Sequence, residues 1–545
     1  MSIQNTQRRW PAALSLLVAI LLLNALLTFH NVWPTPYVHW VGELSVELAW
    51  ALLLLAAWQR LRGPPPRSLL IALAVLFVFG TLGRYGEVTA PALYGRDVNL
   101  FWDLPHVSSL AGMLVHAVPL WLLLAIVIGT FAVFALLSSA AMWSLRSVAR
   151  GLALPRASAV IGIAAAISIC WFTMQRMDDR LLARSPQFSI PVAQTYGTQF
   201  IRTAEAISGH GVITDLPRSP AFAATLSRTE GADVMVVFLE SYGRVNYERA
   251  DFFETLAGTR SKLSLAASAT GRSIVSAFVE SPTFGGGSWL AHLSFLSGIE
   301  VRDAAVGQLL MTQQRGTLVT EFSKHGYRTV ALMPGLKSNW PEGSFYGFDK
   351  IYDDPALEYR GPAFGWWRIP DQFSLAQLDA LEVTPHASRQ PLFTVFPTIS
   401  MHTPFRPTPP YQPDWTRLLG SDPFDARILQ QSLEQRTEWN NLGTSYVGAV
   451  TYSLETLAGY LRQRENRNLI LVALGDHQPP AMVSGEHASW DVPVHVITGN
   501  PAVLAALRKS GFVDDMAPAR RTLEKMHRLG PMLLEAFGTE QQDES

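Results

Sequence analysis

The 545-residue chain holds a single cysteine, Cys170. One thiol excludes an internal disulfide and any cysteine-clustered zinc site, and its place in an apolar run reads as a packed, inert side chain. Charge is also scarce. Asp, Glu, Lys and Arg make up 16% of the residues, against about 25% in ordinary soluble domains. Neither sign dominates, with 43 basic residues against 44 acidic ones, so no basic surplus points to nucleic acid. Internal repeats and long low-complexity tracts are missing as well. The length itself suggests more than one domain.

Long apolar runs stand where charge is missing. No Asp, Glu, Lys or Arg occurs between Arg9 and Glu43. Runs at 10–29, 38–58, 68–83, 118–143 and 152–173 predict about five transmembrane helices, since a span needs about 20 residues. The run at 68–83 is the shortest. The first run exceeds the apolar core of a cleaved signal peptide, about 7–15 residues. Arg8 and Arg9, then Arg60, Arg62 and Arg67, then Arg146, Arg150 and Arg156 fall on one side of these spans, while the opposite loops hold only Arg84 and Arg96. Positive loops stay in the cytoplasm. The expectation is a cytoplasmic (inner) membrane protein with a cytoplasmic N-terminus and everything beyond the fifth span outside, periplasmic or extracellular. Glu43 and Glu47 fall i,i+4 in the second run, as an interfacial pair or a lipid-headgroup site.

The composition changes after Thr173. Residues 1–176 read as the membrane domain, 177–230 as a connector, 231–535 as a soluble domain and 536–545 as a polar tail. Short β-branched runs at 234–239, 272–280, 328–333, 391–398, 468–474 and 492–498 read as strands. Helical patterns at 289–296, 317–325 and 445–464 lie between them. Strands alternating with helices predict an α/β fold with a mostly parallel sheet, whose ligands gather at the strand carboxyl ends.

Reactive residues fall at those ends. Glu240 closes the first strand and Asp476-His477 the fifth. Between them, Gly285-Gly286-Gly287-Ser288 leads from a strand into a helix. A hydroxyl there meets free backbone N–H groups and the positive end of a helix dipole, which suits attack on an anionic phosphorus centre. A hydroxyl is a weak nucleophile, and metal coordination is one way to activate it. Two carboxylates and an imidazole suit zinc or manganese. Thr283 is an alternative nucleophile, and His292 follows Ser288 by one helical turn.

Phe238-Leu239-Glu240-Ser241-Tyr242, the Gly-Gly-Gly-Ser turn, Tyr346-Gly347-Phe348-Asp349-Lys350, His402-Thr403-Pro404-Phe405 and Gly475-Asp476-His477 come in a particular order and spacing. In these blocks, and in its apolar N-terminal half, the chain resembles the sulfatase-like membrane transferases of the alkaline phosphatase superfamily, more narrowly the lipoteichoic-acid-synthase group. The resemblance implies a bundle of about five transmembrane helices before an extracytoplasmic alkaline-phosphatase/sulfatase-like α/β domain. It implies one divalent ion, manganese in the first place with zinc or magnesium as alternatives, held by Glu240, Ser288, Asp476 and His477. It makes Ser288 the nucleophile and His402, Trp340 and His487 the substrate-binding residues. The implied reaction transfers a phosphoglycerol or phosphoethanolamine headgroup from a membrane phospholipid, through a covalent serine intermediate, to an envelope glycan or lipid.

The chain departs from that group in two places. Serine stands in the position of its threonine nucleophile, and the group's Trp-x-Arg pair is reduced to Trp340. Lys337, Arg368 and Arg406 are the cations available to replace the missing arginine. A sulfatase or phosphodiesterase using water is an alternative, although Ser288-Trp289-Leu290-Ala291 lacks the x-Pro-x-Arg context of sulfatases. A non-catalytic lipid-sensing or scaffolding relative is another.

Overall fold

The computed structural model describes residues 9–104, 107, 111–112, 115, 119–177, 188–208, 216–337, 340–365, 367–384 and 389–538. The chain forms two compact units, Met1–Leu93 with Asp97–His210, and Tyr94–Arg96 with Gly211–Ser545. Parts of the expected connector, and the tail from 539 onward, lie outside the described residues.

The first unit contains the helices α1 (Arg9–Ala25), α2 (Val46–Arg62), α3 (Arg67–Tyr94), α4 (Leu120–Leu152), α5 (Pro155–Met177) and α6 (Val192–Ser208), with a ribbon of β1 (Phe29–Asn31) and β2 (Val38–Trp40). Helices α3, α4 and α5 are long and apolar enough to cross a membrane. At 17 residues each, α1 and α2 rise only about 26 Å. Ala19, Leu23, Leu52, Leu55, Leu73, Phe77, Leu145 and Val148 form the unit's core. Along α4, by contrast, Leu120, Leu124, Phe131 and Leu136 are exposed. Apolar surface of that extent on a long helix is the signature of a lipid-facing side chain set rather than a wetted one.

Several sequence expectations are revised here. The shortest run became α3, a 28-residue helix. It continues through Arg84, whose buried side chain finds partners: Nε donates to Phe29 O at 2.9 Å and Nη1 lies 3.3 Å from Glu87. Arg84 is thus inside a helix and not in a loop. The second run is interrupted. Residues 38–40 pair with β1, and α2 begins only at Val46, where Ser45 Oγ accepts from Leu48 N at 3.2 Å. Asn24 braces this start by accepting from Ser45 N at 2.9 Å and donating to Glu43 O at 2.7 Å. Glu43 therefore lies outside the helix and meets His30 at 2.9 Å, whereas Glu47 accepts from Ser45 Oγ and Ala193 N. They do not form one helical face. Cys170 is exposed on the sparsely covered α5, not packed. The expected connector contributes the helix α6.

The second unit is built on a nine-stranded sheet. Its strands are β3 (Asp233–Leu239), β4 (Ser273–Glu280), β5 (Arg328–Met333), β6 (Lys350–Asp353), β7 (Leu392–Pro397), β8 (Leu469–Gly475), β9 (Asp491–Thr498), β10 (Val513–Asp514) and β11 (Thr522–Lys525). The order is β10-β4-β9-β8-β3-β7-β5-β6, with β11 beside β4. Pairing is parallel from β8 through β3, β7 and β5 to β6, and antiparallel where β9 meets β8 and β4. Strand side chains alternate between faces, and both faces are covered. Met235, Val237 and Leu239 of β3 enter one core, while Val234, Val236 and Phe238 enter the other. That double burial explains the continuous apolar run of β3.

Candidate metal centre

Register sets the centre. Leu239 of β3 lies opposite Gly475 of β8, and Phe238 opposite Pro397 of β7. The next residues, Glu240, Asp476 and Thr398, therefore emerge side by side at the carboxyl end of the sheet. Gly475 is required there, because a side chain would strike the carbonyl of Tyr242. With that approach open, Asp476 Oδ1 accepts from Ser241 N at 2.8 Å and from His477 N at 2.7 Å. Glu240 N donates to Thr398 Oγ1 at 3.0 Å, and Ser281 Oγ to Asp476 O at 2.5 Å.

The glycine turn delivers Ser288. Gly285, Gly286 and Gly287 all have positive φ, a run that side-chain-bearing residues adopt only with strain. It feeds directly into the helix α7 (Ser288–Ser297). Thr283 Oγ1 donates to Gly286 O, so this alternative nucleophile braces the turn. Ser288 Oγ lies 3.0 Å from Glu240 Oε2 and 3.1 Å from His477 Nε2.

Glu240, Asp476 and His477 each offer a ligand atom, all within 4.8 Å of one another, and all three residues are buried. No lysine or arginine pairs with either carboxylate among the described residues; histidines are their only ionic neighbours. Burial and the charge of Glu240 push Asp476 up to about 6. Burial acts on Glu240 too, but His477 and His402 hold it below the usual carboxylate range. Burial opposes charge on His477, yet the two carboxylates raise it. These groups titrate as one unit. His477 Nδ1 faces Gln478 O at 2.8 Å, which makes Nδ1 the donor and turns the Nε2 lone pair to the cluster. One hydroxyl hydrogen on Ser288 cannot serve both Glu240 and that lone pair. Buried, uncompensated negative charge and an unserved imidazole nitrogen fit a divalent cation.

The other candidates divide. His402 holds Thr403 O with Nδ1 at 2.8 Å and stands edge-on to Trp367, ring centroids 5.3 Å apart. Its turn is set by the buried Asp371, whose carboxylate accepts from Ile399 N at 2.8 Å and Ser400 N at 3.1 Å. Trp340 is partly buried and packs on Tyr346 at the edge of the core, centroids 5.4 Å apart. His487 has 91% of its side chain exposed and, among the described residues, pairs with Glu486. Arg368 is committed to Asp354 at 2.6 Å. Sequence reading passed over Thr398, Ser281 and Asp371. The first two stand at strand exits, the signal that did expose Glu240.

The sulfatase family model matches residues 294–496, a segment that contains His402, Asp476 and His477 and begins just past Ser288. Among solved structures, the lipoteichoic acid synthase LtaP of Listeria monocytogenes is similar at 13% identity, covering 62% of this chain and 79% of that one, with TM-score 0.38. The phosphoglycerol transferase GacH of Streptococcus pyogenes, in complex with sn-glycerol-1-phosphate, is 13% identical over 61% of this chain and 91% of that one, TM-score 0.35. The C-terminal periplasmic domain of EcEptC from Escherichia coli is 13% identical over 53% and 77%, TM-score 0.34. No curated protein matches. The segment of the second unit that matches the sulfatase family model thus includes Asp476 and His477, while Glu240 and Ser288 lie before it.

Proposed function

We propose that this protein transfers a phosphoryl headgroup, phosphoglycerol or phosphoethanolamine, from a membrane phospholipid to a hydroxyl of an envelope glycan or lipid. The observation that carries the reading is the contact of Ser288 with Glu240 and His477 in a buried, cation-fitting cluster. Glu240, Asp476, His477 and Ser288 would hold one divalent ion, manganese by preference, which supplies positive charge for the phosphoryl oxygens and a more acidic serine hydroxyl.

Ser288 Oγ attacks phosphorus as its proton passes to Glu240 Oε2, the oxygen it already donates to at 3.0 Å; the bond from phosphorus to the diacylglycerol oxygen breaks. His402, with Nδ1 tied to its own loop, keeps Nε2 for the proton that leaves with diacylglycerol. An acceptor hydroxyl then displaces the headgroup from Ser288 by the same path in reverse. The helix N-terminus beneath Ser288 contributes free N–H groups to the anionic oxygens. Two named neighbours act in line with this, one called a lipoteichoic acid synthase and one a phosphoglycerol transferase. The apolar helices of the first unit would anchor the chain in the membrane that supplies the lipid donor.

The test is release of diacylglycerol from phosphatidylglycerol or phosphatidylethanolamine by purified, Mn²⁺-loaded protein, followed by intact-mass measurement. A headgroup-sized adduct on Ser288 is expected, and no adduct in S288A. Metal-loaded protein that frees diacylglycerol from neither lipid would sink the proposal. Release of free headgroup with no acceptor present, at the full rate, would favour water as the natural acceptor.

A further inference from the structure

Four residues along α7 rise about 6 Å, and two residues along a strand about 6.6 Å. Glu240, the first residue beyond β3, follows Phe238 by two positions, and Ser288 and His292 share a face of α7. The spacings match and the contacts follow. Ser288 meets Glu240, while the ring of His292 packs on Phe238 with centroids 4.3 Å apart and planes at 44°. This places His292 Nε2 3.9 Å from Asp476 Oδ2. The nitrogen is shielded from solvent and has no hydrogen-bond partner. A buried polar atom in that state calls for a partner or a role.

Asp476 is the group that can supply one. Its Oδ1 is already held by two backbone N–H groups, so Oδ2 is the oxygen turned to the ligand cluster, 3.7 Å from His477 Nε2. A carboxylate oxygen accepts along more than one direction. It can serve a cation on one side and an N–H on the other. Of the two carboxylates, Asp476 is the one within 4.0 Å of His292, and His292 is not a member of the three-residue ligand group.

Resting on the metal reading above, we propose that His292 is a positioning residue: its Nε2–H closes on Asp476 Oδ2 and orients that carboxylate for the divalent ion. Partners of this kind commonly alter metal affinity by about 10–100-fold.

The experiment measures Mn²⁺ affinity of the full-length protein in detergent by chelator competition, and the unfolding midpoint with and without Mn²⁺. H292F and H292L remove the donor while filling the space; H292Q sets an amide N–H in place of Nε2. The expected result is a Kd weakened about 10–100-fold in H292F and H292L, with a smaller Mn²⁺-induced shift of the midpoint. H292Q should stay near wild type, and the metal-free midpoints of H292F and H292L should not fall. A wild-type Kd in either apolar variant overturns the role of His292, as does a weakened Kd in H292Q equal to theirs. Wild-type protein without Mn²⁺ affinity overturns the metal reading itself.

Discussion

At the residue scale, unlike groups are forced into one small dry space at the candidate centre. Glu240 and Asp476 cannot both carry charge there without compensation, and His477 supplies only part of it. D476N should therefore lower Mn²⁺ content per chain, read by elemental analysis, with the fold kept. S288A should keep metal within a modest loss but reduce diacylglycerol release by about 1,000-fold or more. S288T should retain measurable activity, since it keeps a hydroxyl. For H402Q the expected change is a drop in kcat of about 100- to 10,000-fold, the range for a lost general acid, with metal content unchanged. Glu240, Ser288, Asp476 and His477 were legible in the sequence because strand ends and a glycine turn are local signals. For His487 and Trp340 the sequence offered motif spacing alone. Their motif spacing is local, but whether a side chain enters the centre depends on how the loop closes.

At the element scale, β3 is fixed at both ends. Its carboxyl end carries Glu240, and its amino end begins with Asp233, which accepts from Arg389 at 2.6 Å, Arg464 at 3.0 Å and Leu392 N at 2.9 Å. Burial alone would raise the Asp233 carboxyl, but the hydrogen bonds from Arg389 and Leu392, with the charges of Arg389 and Arg464, bring it below its ordinary value. A carboxyl lowered on folding stabilises the protein above the unfolded value of about 3.9. The contribution is lost as pH falls through the folded value. D233N should thus cost about 3–5 kcal/mol near pH 7, since it breaks a buried ion group. Denaturant titrations should show that difference shrinking below about pH 4. A gap that stays constant down to pH 3 would contradict this account. The long strands and the helices at 289–296, 317–325 and 445–464 were legible from periodicity, whereas the helices Ala257–Ala269 and Met526–Phe537 were not read. The strands β6, β10 and β11, of four, two and four residues, were not, since so short a segment has no period to read.

At the scale of the whole molecule, the proposal joins an apolar helical unit to a phosphoryl-transfer domain. If the first unit serves to hold the second at a lipid surface, residues 216–545 alone should process a short-chain soluble phospholipid at a rate similar to the full chain. On bilayer donors the full chain should be faster, because tethering raises the donor's effective concentration towards the millimolar range. Equal rates on vesicles would remove the tethering argument. The orientation proposed from arginine placement is tested by reporter fusions after residue 208, which should be active outside the cytoplasm. That prediction is indifferent to whether three or all five apolar helices span, since both numbers are odd.

What the sequence by itself determined was the division into an apolar half and an α/β half, the main strands, and the strand-end residues that make up the candidate centre. Those features rest on local composition, on periods of two and 3.6, and on the chemistry of residues at strand ends. Only the tertiary structure decided the rest. It kept Glu43 off the helix that holds Glu47, gave the buried Arg84 of α3 its partners, and sealed His292 behind Asp476. Each of these depends on neighbours distant in the chain, and the energy of a buried charge or an unpaired nitrogen is set by those neighbours, not by the residues beside it in sequence.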